Sequence, residues 1–258
     1  MDLADKHAVI TGGASGIGAA TAREFARLGA TVTVADINGD GARAVAGEIG
    51  STAVVCDVGS EADVNALVAE AQAANGPIDL FFSNAAVFTG ASPLDTPLDV
   101  WQTQWQVNVM AHVYAVRAVL PDMLERESGY LVHTASMAGI LTSHRNLPYS
   151  VTKHAVVGLA EWLSITYHDK GIRVSLLAPL GVRTPMLGNA TGSFSRAVGN
   201  VREPEEVAAM VSEAVHDERF LILTDPIAQT WMERKTGDLE RWLNGMRRLQ
   251  AGIEADEG

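Results

Sequence analysis

The sequence has little of what several classes of protein require. Its one cysteine, Cys56, excludes an internal disulfide framework and is typical of a reducing compartment. Lysine and arginine number 19 against 31 aspartates and glutamates, and the net charge of −12 disfavours nucleic acid as a partner. No apolar run is long enough to cross a bilayer, and the N-terminus lacks the basic start and apolar stretch of a signal peptide. We therefore expect a soluble, cytoplasmic protein that binds no membrane.

What the sequence does contain is a regular alternation of short apolar strands and helices. Strands are predicted at residues 7–11, 31–36, 52–57, 78–83, 129–136, 173–178 and 220–224. Helices are predicted at residues 17–28, 39–49, 61–74, 98–120, 149–170 and 204–216. Near-continuous apolar strands separated by helices indicate a parallel sheet covered on both faces. We predict one α/β domain over residues 1–258, a doubly wound Rossmann-type sheet of about seven strands.

A glycine-rich turn follows the first predicted strand. Residues 11–18 read T-G-G-A-S-G-I-G and open a helix, a context in which the backbone and the helix N-terminus approach a diphosphate. Asp36 ends the second strand, where a carboxylate accepts hydrogen bonds from ribose hydroxyls and repels a 2′-phosphate. The alternative for Asp36 is a helix N-cap or a solvated turn residue. Because the turn carries Ala14 and Ser15 but no Arg or Lys, the sequence predicts NAD rather than NADP.

A tyrosine and a lysine lie four residues apart in Y-S-V-T-K, residues 149–153. On a helix this spacing places both side chains on one face. A phenol is a poor base at neutral pH because its pKa is about 10, and a neighbouring ammonium favours the phenolate. Tyr149 can then exchange a proton with a substrate oxygen as general acid or base. The alternative is an ordinary amphipathic helix with an exposed lysine.

These two motifs, with Ser136 thirteen residues before Tyr149, resemble those of the short-chain dehydrogenase/reductase family over about residues 5–225. The resemblance implies that Tyr149 is the acid/base and that Lys153 binds the nicotinamide ribose and lowers the pKa of Tyr149. It also implies that Ser136 hydrogen-bonds the substrate oxygen and that Asn108 holds a water of a proton relay. The implied cofactor contacts, beyond Tyr149 and Lys153, are Gly12, Ser15, Gly16, Ile17, Gly18, Asp36, Ile37, Asp57, Val58, Asn84, Ala85, Ala86, Pro179, Val182 and Thr184.

The C-terminal part of the chain departs from the alternation and from the family's pattern. Residues 186–201 are small, polar and interrupted by glycine, which predicts a small mobile flap over the substrate. Residues 227–250 carry apolar side chains near helical spacing, which predicts a helical segment that covers the active site or packs on a neighbouring subunit. Leu180 stands where the family commonly has glycine, and no D-G-G follows the last strand.

The resemblance implies an NAD-dependent oxidoreductase acting on a small, largely apolar secondary alcohol or ketone, assembled as a homotetramer or dimer. One alternative is a ketoacyl-type reductase acting on a carrier-bound or anionic substrate, since residues 181–202 hold Arg183, Arg196 and Arg202 but no acidic residue. Another is a catalytically silent nucleotide-binding scaffold or sensor. The seven histidines show no metal-ligand spacing, so we expect no metal site.

Overall fold

Seven strands form one parallel sheet in the computed structural model, which describes residues 1–142, 146–188 and 201–257. The strands are β1 (His7–Thr11), β2 (Thr31–Asp36), β3 (Thr52–Val55), β4 (Leu80–Ser83), β5 (Gly129–Thr134), β6 (Ile172–Ala178) and β7 (Leu221–Leu223). Every residue of β1, β4 and β5 is buried. This burial explains why these strands read as continuous apolar runs, because a parallel sheet is covered on both faces.

Helices cover both faces of the sheet. They are α1 (Gly16–Arg27), α2 (Gly39–Glu48), α3 (Glu61–Asn75), α4 (Leu98–Trp105), α5 (Ala111–Glu125), α6 (Leu147–Tyr167), α7 (Pro204–His216), α8 (Pro226–Gly237) and α9 (Leu239–Glu257). Apolar side chains of α1, α2 and α7 form the core on one face, and those of α3, α5 and α6 form the core on the other. The predicted doubly wound Rossmann-type sheet is therefore confirmed.

The strand order β3-β2-β1-β4-β5-β6-β7 places the start of the chain at the centre of the sheet. Strand β1 pairs with β2 on one side and with β4 on the other, so the direction of winding reverses between β1 and β4. In sheets of this kind a crevice opens at the carboxyl ends of the strands where the order reverses, and ligands bind there. The topology thus predicts a ligand site formed by the loops after β1, β2, β4, β5 and β6.

Several predicted elements differ in detail, and three of these differences concern the site. The predicted helix at 98–120 is α4 and α5 joined by a π-helical turn, Gln106–Met110, in which one extra residue is accommodated per turn. The predicted segment at 227–250 is two helices, because the chain leaves helical geometry at Asp238 between α8 and α9. Strand β3 ends at Val55, two residues before the predicted end.

Most of the predicted flap at 186–201 lies outside the described residues, which include only its ends, 186–188 and 201. The glycine expected by family pattern at position 180 is not needed, since Leu180 is not among the residues with positive φ and its N–H is bonded to the Thr224 hydroxyl at 3.1 Å. Among the described residues, no helix combines the length and the apolar character that a membrane crossing requires.

Candidate active site

A cavity of about 910 Å³ opens at the carboxyl ends of the strands, where the strand order reverses. Nearly all of the residues that the sequence singled out line it. They are Gly12, Ser15, Gly16, Ile17, Asp36, Ile37, Asp57, Val58, Asn84, Ala85, Ala86, Ser136, Tyr149, Lys153, Pro179, Val182 and Thr184. Gly18 and Asn108 are the two that do not. The fold therefore brings together motifs that are far apart in sequence, from the turn after β1 to the loop after β6.

The glycine-rich turn between β1 and α1 has the backbone that its sequence predicted. Gly12 and Gly16 adopt positive φ angles of 66° and 53°, which favour glycine. A Cβ on Gly18 would lie 2.1 Å from the Gly12 carbonyl oxygen, so Gly18 allows close packing of α1 and does not line the cavity. Ser15 caps α1 without a side-chain hydrogen bond. The first N–H groups of α1 are therefore available to an anion, as a diphosphate site requires.

Asp36 faces the cavity from the end of β2 and is held by two backbone N–H groups. Its Oδ2 accepts from the N–H of Ala14 at 3.0 Å, and its Oδ1 accepts from the N–H of Asn38 at 2.9 Å. The N-cap of α2 is Asn38, whose side chain accepts from the N–H of Gly41 at 3.1 Å. Asp36 is thus not the cap of that helix, and its carboxylate is fixed in orientation beside the glycine-rich turn.

The loop after β4 is tied to the neighbouring strands by Asn84. Its Nδ2 donates to the carbonyl of Thr11 at 3.1 Å, and its Oδ1 accepts from the hydroxyl of Thr134 at 3.1 Å. One side chain therefore joins the ends of β1, β4 and β5 and places Ala85 and Ala86 along the cavity wall.

The loop after β3 is shaped by Asp57. Its side chain accepts from the N–H of Gly59 at 2.9 Å, which turns the chain away from the strand toward α3. Asp57 and its neighbour Val58 both line the cavity. The pair that the sequence singled out after the third strand therefore reaches the same cavity as Asp36.

Tyr149 and Lys153 lie in the first turns of α6, as the spacing predicted. Asn146 caps this helix by accepting from the N–H of Tyr149 at 3.0 Å. Lys153 is fully buried, and its Nζ donates to the carbonyl of Thr134 at 2.8 Å and lies 5.6 Å from the centroid of the Tyr149 ring. Ser136 follows β5 and, with Tyr149, lines the cavity, where its hydroxyl acts to lower the pKa of the Tyr149 phenol. The alternative of an exposed lysine on an ordinary amphipathic helix is therefore wrong.

Burial dominates the ionisation of both side chains. It raises the pKa of Tyr149 to about 12, against an opposing effect of the hydrogen bond from Ser136. It also lowers the pKa of Lys153 to about 7. In the protein alone the pKa of the Tyr149 phenol is therefore set mainly by burial, and the lowering of that pKa by Lys153 stays a prediction.

Asn108 lies in the π-helical turn and is fully buried. Its Oδ1 accepts from the N–H of Val87 at 2.8 Å, and its Nδ2 donates to the Val87 carbonyl at 2.9 Å. A longer bond of 3.3 Å joins Nδ2 to the hydroxyl of Thr152 on α6. The side chain thus fastens the loop after β4 to the helix that carries Tyr149. The predicted water-holding role of Asn108 stays a prediction.

A buried histidine pair between α5 and β5 had no signal in the sequence. The Nδ1 atoms of His112 and His133 lie 3.0 Å apart, and burial lowers the pKa of His133 to about 4 and that of His112 well below its usual value. Because both pKa values lie below physiological pH, both rings are neutral there, and one Nδ1–H donates to the other Nδ1. Neither side chain lines the cavity.

At the substrate end of the cavity, Phe88 and Arg234 were not singled out from the sequence. Phe88 packs edge-on against the Tyr149 ring with centroids 4.8 Å apart. Helices α8 and α9 contribute Trp231, Arg234, Trp242, Met246 and Leu249 to the lining. Their helical apolar spacing was visible in the sequence, but which surface they cover was not. The expectation that this segment covers the site agrees with their position.

The sheet order, the glycine-rich turn and the cavity at the reversal of strand order define a Rossmann-type nucleotide-binding protein. The family described as short chain dehydrogenase matches residues 6–195. The chain belongs to the short-chain dehydrogenase/reductase family.

Two relatives and one solved structure illustrate the likeness. The chain is 34% identical to 1-deoxy-11-beta-hydroxypentalenate dehydrogenase of Streptomyces exfoliatus, over 93% of this chain and 90% of the relative. It is 38% identical to 2,5-dichloro-2,5-cyclohexadiene-1,4-diol dehydrogenase of Sphingobium indicum, over 80% and 88%. A crystal structure of a short chain dehydrogenase/reductase from Burkholderia phymatum in complex with NAD has a TM-score of 0.86 at 30% identity, covering 93% of this chain and 96% of that one. These likenesses support a nicotinamide cofactor.

Proposed function

We propose that the protein is an NAD-dependent dehydrogenase that interconverts a small, largely apolar secondary alcohol and its ketone, with Tyr149 as acid/base. The observation that carries this proposal is that one cavity is lined both by the glycine-rich turn and Asp36, which suit the adenosine half of a dinucleotide, and by Ser136, Tyr149 and Lys153, which suit proton transfer. A dinucleotide such as NAD carries an adenosine at one end and the reacting nicotinamide ring at the other, so it suits a cavity that is lined by both sets of residues.

The residues present fit the cofactor. The free N–H groups at the start of α1 and the glycine backbone suit the diphosphate, and Asp36 suits the adenosine ribose hydroxyls. Asp57 and Val58 would flank the adenine, while Lys153, Pro179, Val182 and Thr184 would hold the nicotinamide half. Bound NAD supplies the hydride acceptor or donor and, when oxidised, a positively charged ring.

The preference for NAD over NADP rests on charge. Asp36 and Asp57 are the charged side chains that line the adenosine end among the described residues, and both are acidic. A 2′-phosphate there would face a fixed carboxylate with no arginine or lysine in the described lining at that end, so it would be repelled.

Tyr149 would take the hydroxyl proton of the alcohol during oxidation and return it to the ketone oxygen during reduction. Ser136 would donate to the same oxygen and hold it against the phenol. Lys153 would favour the phenolate once protonated, and the positive charge of the oxidised cofactor would act in the same direction as the lysine. These charges offset the burial that raises the pKa of Tyr149 in the protein alone.

The substrate end is mainly apolar, with Phe88, Met137, Leu141, Trp231 and Trp242 in its lining. Such a wall favours a compact apolar body, and the relative from Sphingobium indicum is named for a cyclohexadiene diol. We therefore propose a small cyclic secondary alcohol or ketone as substrate.

The three arginines of residues 181–202 do not favour a ketoacyl-type reductase. Arg183 pairs with Glu203 at 2.7 Å and Arg202 pairs with Glu206 at 3.2 Å, so neither charge is free, and Arg196 lies outside the described residues. A silent nucleotide-binding scaffold would have no use for a buried lysine beside a tyrosine.

We also propose a homo-oligomer, tetramer or dimer. Trp162 and Ile165 on α6 are exposed by 56% and 84%, and Trp105 on α4 is exposed by 43%. Large apolar side chains on one pair of helices suit a subunit contact. Sedimentation of the full chain tests this proposal, and a monomer at micromolar concentration would contradict it.

A panel of cyclic secondary alcohols and ketones with NAD(H) and with NADP(H), followed at the nicotinamide absorbance, tests the function. We expect turnover with NAD(H). A preference for NADP(H) would contradict the role of Asp36, and cofactor binding without turnover of any compound would favour the scaffold.

A further inference from the structure

Four charged side chains line the cavity among the described residues: Asp36, Asp57, Lys153 and Arg234. The first two belong to the adenosine end and Lys153 to the proposed proton transfer. Arg234, on α8, is the one for which the proposed reaction has no use. It lies at the substrate end, on the helix that also contributes Trp231.

Among the described residues, Arg234 differs from most arginines in forming no ion pair, a property that it shares with Arg241, Arg247 and Arg248 on α9, none of which lines the cavity. Nine arginines within the described ranges form ion pairs with carboxylates: Arg23, Arg27, Arg43, Arg117, Arg126, Arg173, Arg183, Arg202 and Arg219. Arg234 makes no such pair there. Its neighbour Glu233 accepts instead from the side chain of Gln229 at 2.9 Å. Among the described residues its charge is therefore uncompensated, in a protein with a net charge of −12.

Arg234 is itself exposed, and the cavity that it lines is otherwise mainly apolar at this end. Trp231, Trp242 and Met246 line the same cavity, and Trp231 and Trp242 pack against one apolar cluster. Apolar walls with few polar groups fix the orientation of a ligand through those few groups. A guanidinium offers a planar pair of N–H donors that matches a carboxylate. A carboxylate on a substrate in this cavity would therefore have Arg234 as its partner.

We propose that Arg234 is a specificity-determining residue that binds a carboxylate of the substrate, so that the preferred substrates are cyclic hydroxy acids and keto acids. This inference rests on the proposed function and names its substrate class. An anionic substrate was first considered because of the arginines in residues 181–202. The present inference attributes the preference for an anion to Arg234 on α8 instead.

Binding can be measured without turnover. Cyclohexanecarboxylate has no hydroxyl to oxidise, and cyclohexanecarboxamide is its neutral counterpart. Calorimetric titration of the full chain with NAD present should give about tenfold tighter binding of the acid, because a charge-assisted bond to arginine is lost in the amide. Arg234→Gln should bring the two dissociation constants together, and Arg234→Lys should restore part of the difference.

Arg241→Gln is the matched control, since Arg241 is also an exposed arginine but lies on α9 and does not line the cavity. It should keep the wild-type ratio. Equal binding of acid and amide, or a preference that survives Arg234→Gln, would overturn the inference.

Turnover separates this inference from the proposed function. The substrates are 3-hydroxycyclohexanecarboxylate and its methyl ester with NAD. We expect kcat/KM about tenfold higher for the acid, lost in Arg234→Gln through KM. Oxidation of both at equal rates would overturn the role of Arg234 and leave the proposed function standing. Binding of the acid without oxidation would contradict the proposed function alone.

Discussion

The cofactor end and the substrate end of the cavity are built in different ways. The cofactor end consists of short-range features in the first part of the chain: the turn at 12–18, the strand-end residue Asp36 and the pair at 57–58. The substrate end is assembled from Phe88, the loop after β5 and the helices α8 and α9, which are far apart in sequence. Cofactor and substrate specificity are therefore separable, with Tyr149 and Lys153 where the two ends meet.

Replacing Lys153 should affect both ends. Lys153→Met removes the charge beside Tyr149 and a proposed ribose contact, so we expect kcat/KM to fall by about 10³-fold and NAD to bind more weakly. Because the lysine is fully buried with a pKa lowered to about 7, its removal should not lower the melting temperature. Steady-state rates and thermal unfolding check this. Unchanged NAD affinity would contradict the proposed contact of Lys153 with the nicotinamide ribose and leave only its role beside Tyr149.

The histidine pair should make stability depend on pH. His133 has a folded pKa of about 4 against 6.5, so the unfolded chain binds more protons below pH 6.5. The His133 imidazole contributes fully to the free energy of unfolding above pH 6.5. About 3 kcal/mol of that free energy is lost as the pH falls to 4. Urea unfolding at pH 7.5 and pH 4 should show a larger loss in the wild type than in His133→Gln. An equal loss in both would contradict the assignment.

Asp36→Ala should affect the cofactor end alone. Loss of a carboxylate that binds ribose hydroxyls should weaken NAD by about tenfold or more and improve NADP, because the repulsion of a 2′-phosphate disappears. Dissociation constants of both cofactors, measured by fluorescence, check this. NADP binding that stays as weak as in the wild type would contradict the charge argument.

Trp242→Ala should affect the substrate end alone. The lost apolar wall should raise KM for a cyclic alcohol by about tenfold, while the dissociation constant of NAD changes little. Leu243→Ala is the control, because Leu243 lies on the same helix without lining the cavity. A rise in KM of the same size in both variants would indicate a general disturbance of α9.

The same contrast explains what could be predicted from the sequence. The positions of the strands and the turn after β1 depend on local patterns of apolar residues and glycine, so the fold class and most of the cofactor end were predictable. The position of α8 and α9 depends on packing between distant segments, which no local pattern encodes. The raised pKa of Tyr149 also escaped prediction, because it depends on how deeply the folded protein buries the phenol.

The central claim is that the Tyr149 phenol transfers the proton that accompanies hydride transfer. Tyr149→Phe keeps the ring against Phe88 and removes only the hydroxyl. The measurement is the rate of nicotinamide reduction in a single turnover with a cyclic secondary alcohol. We predict a rate about 10³-fold lower with NAD affinity unchanged within about twofold. A rate equal to that of the wild type would contradict the claim.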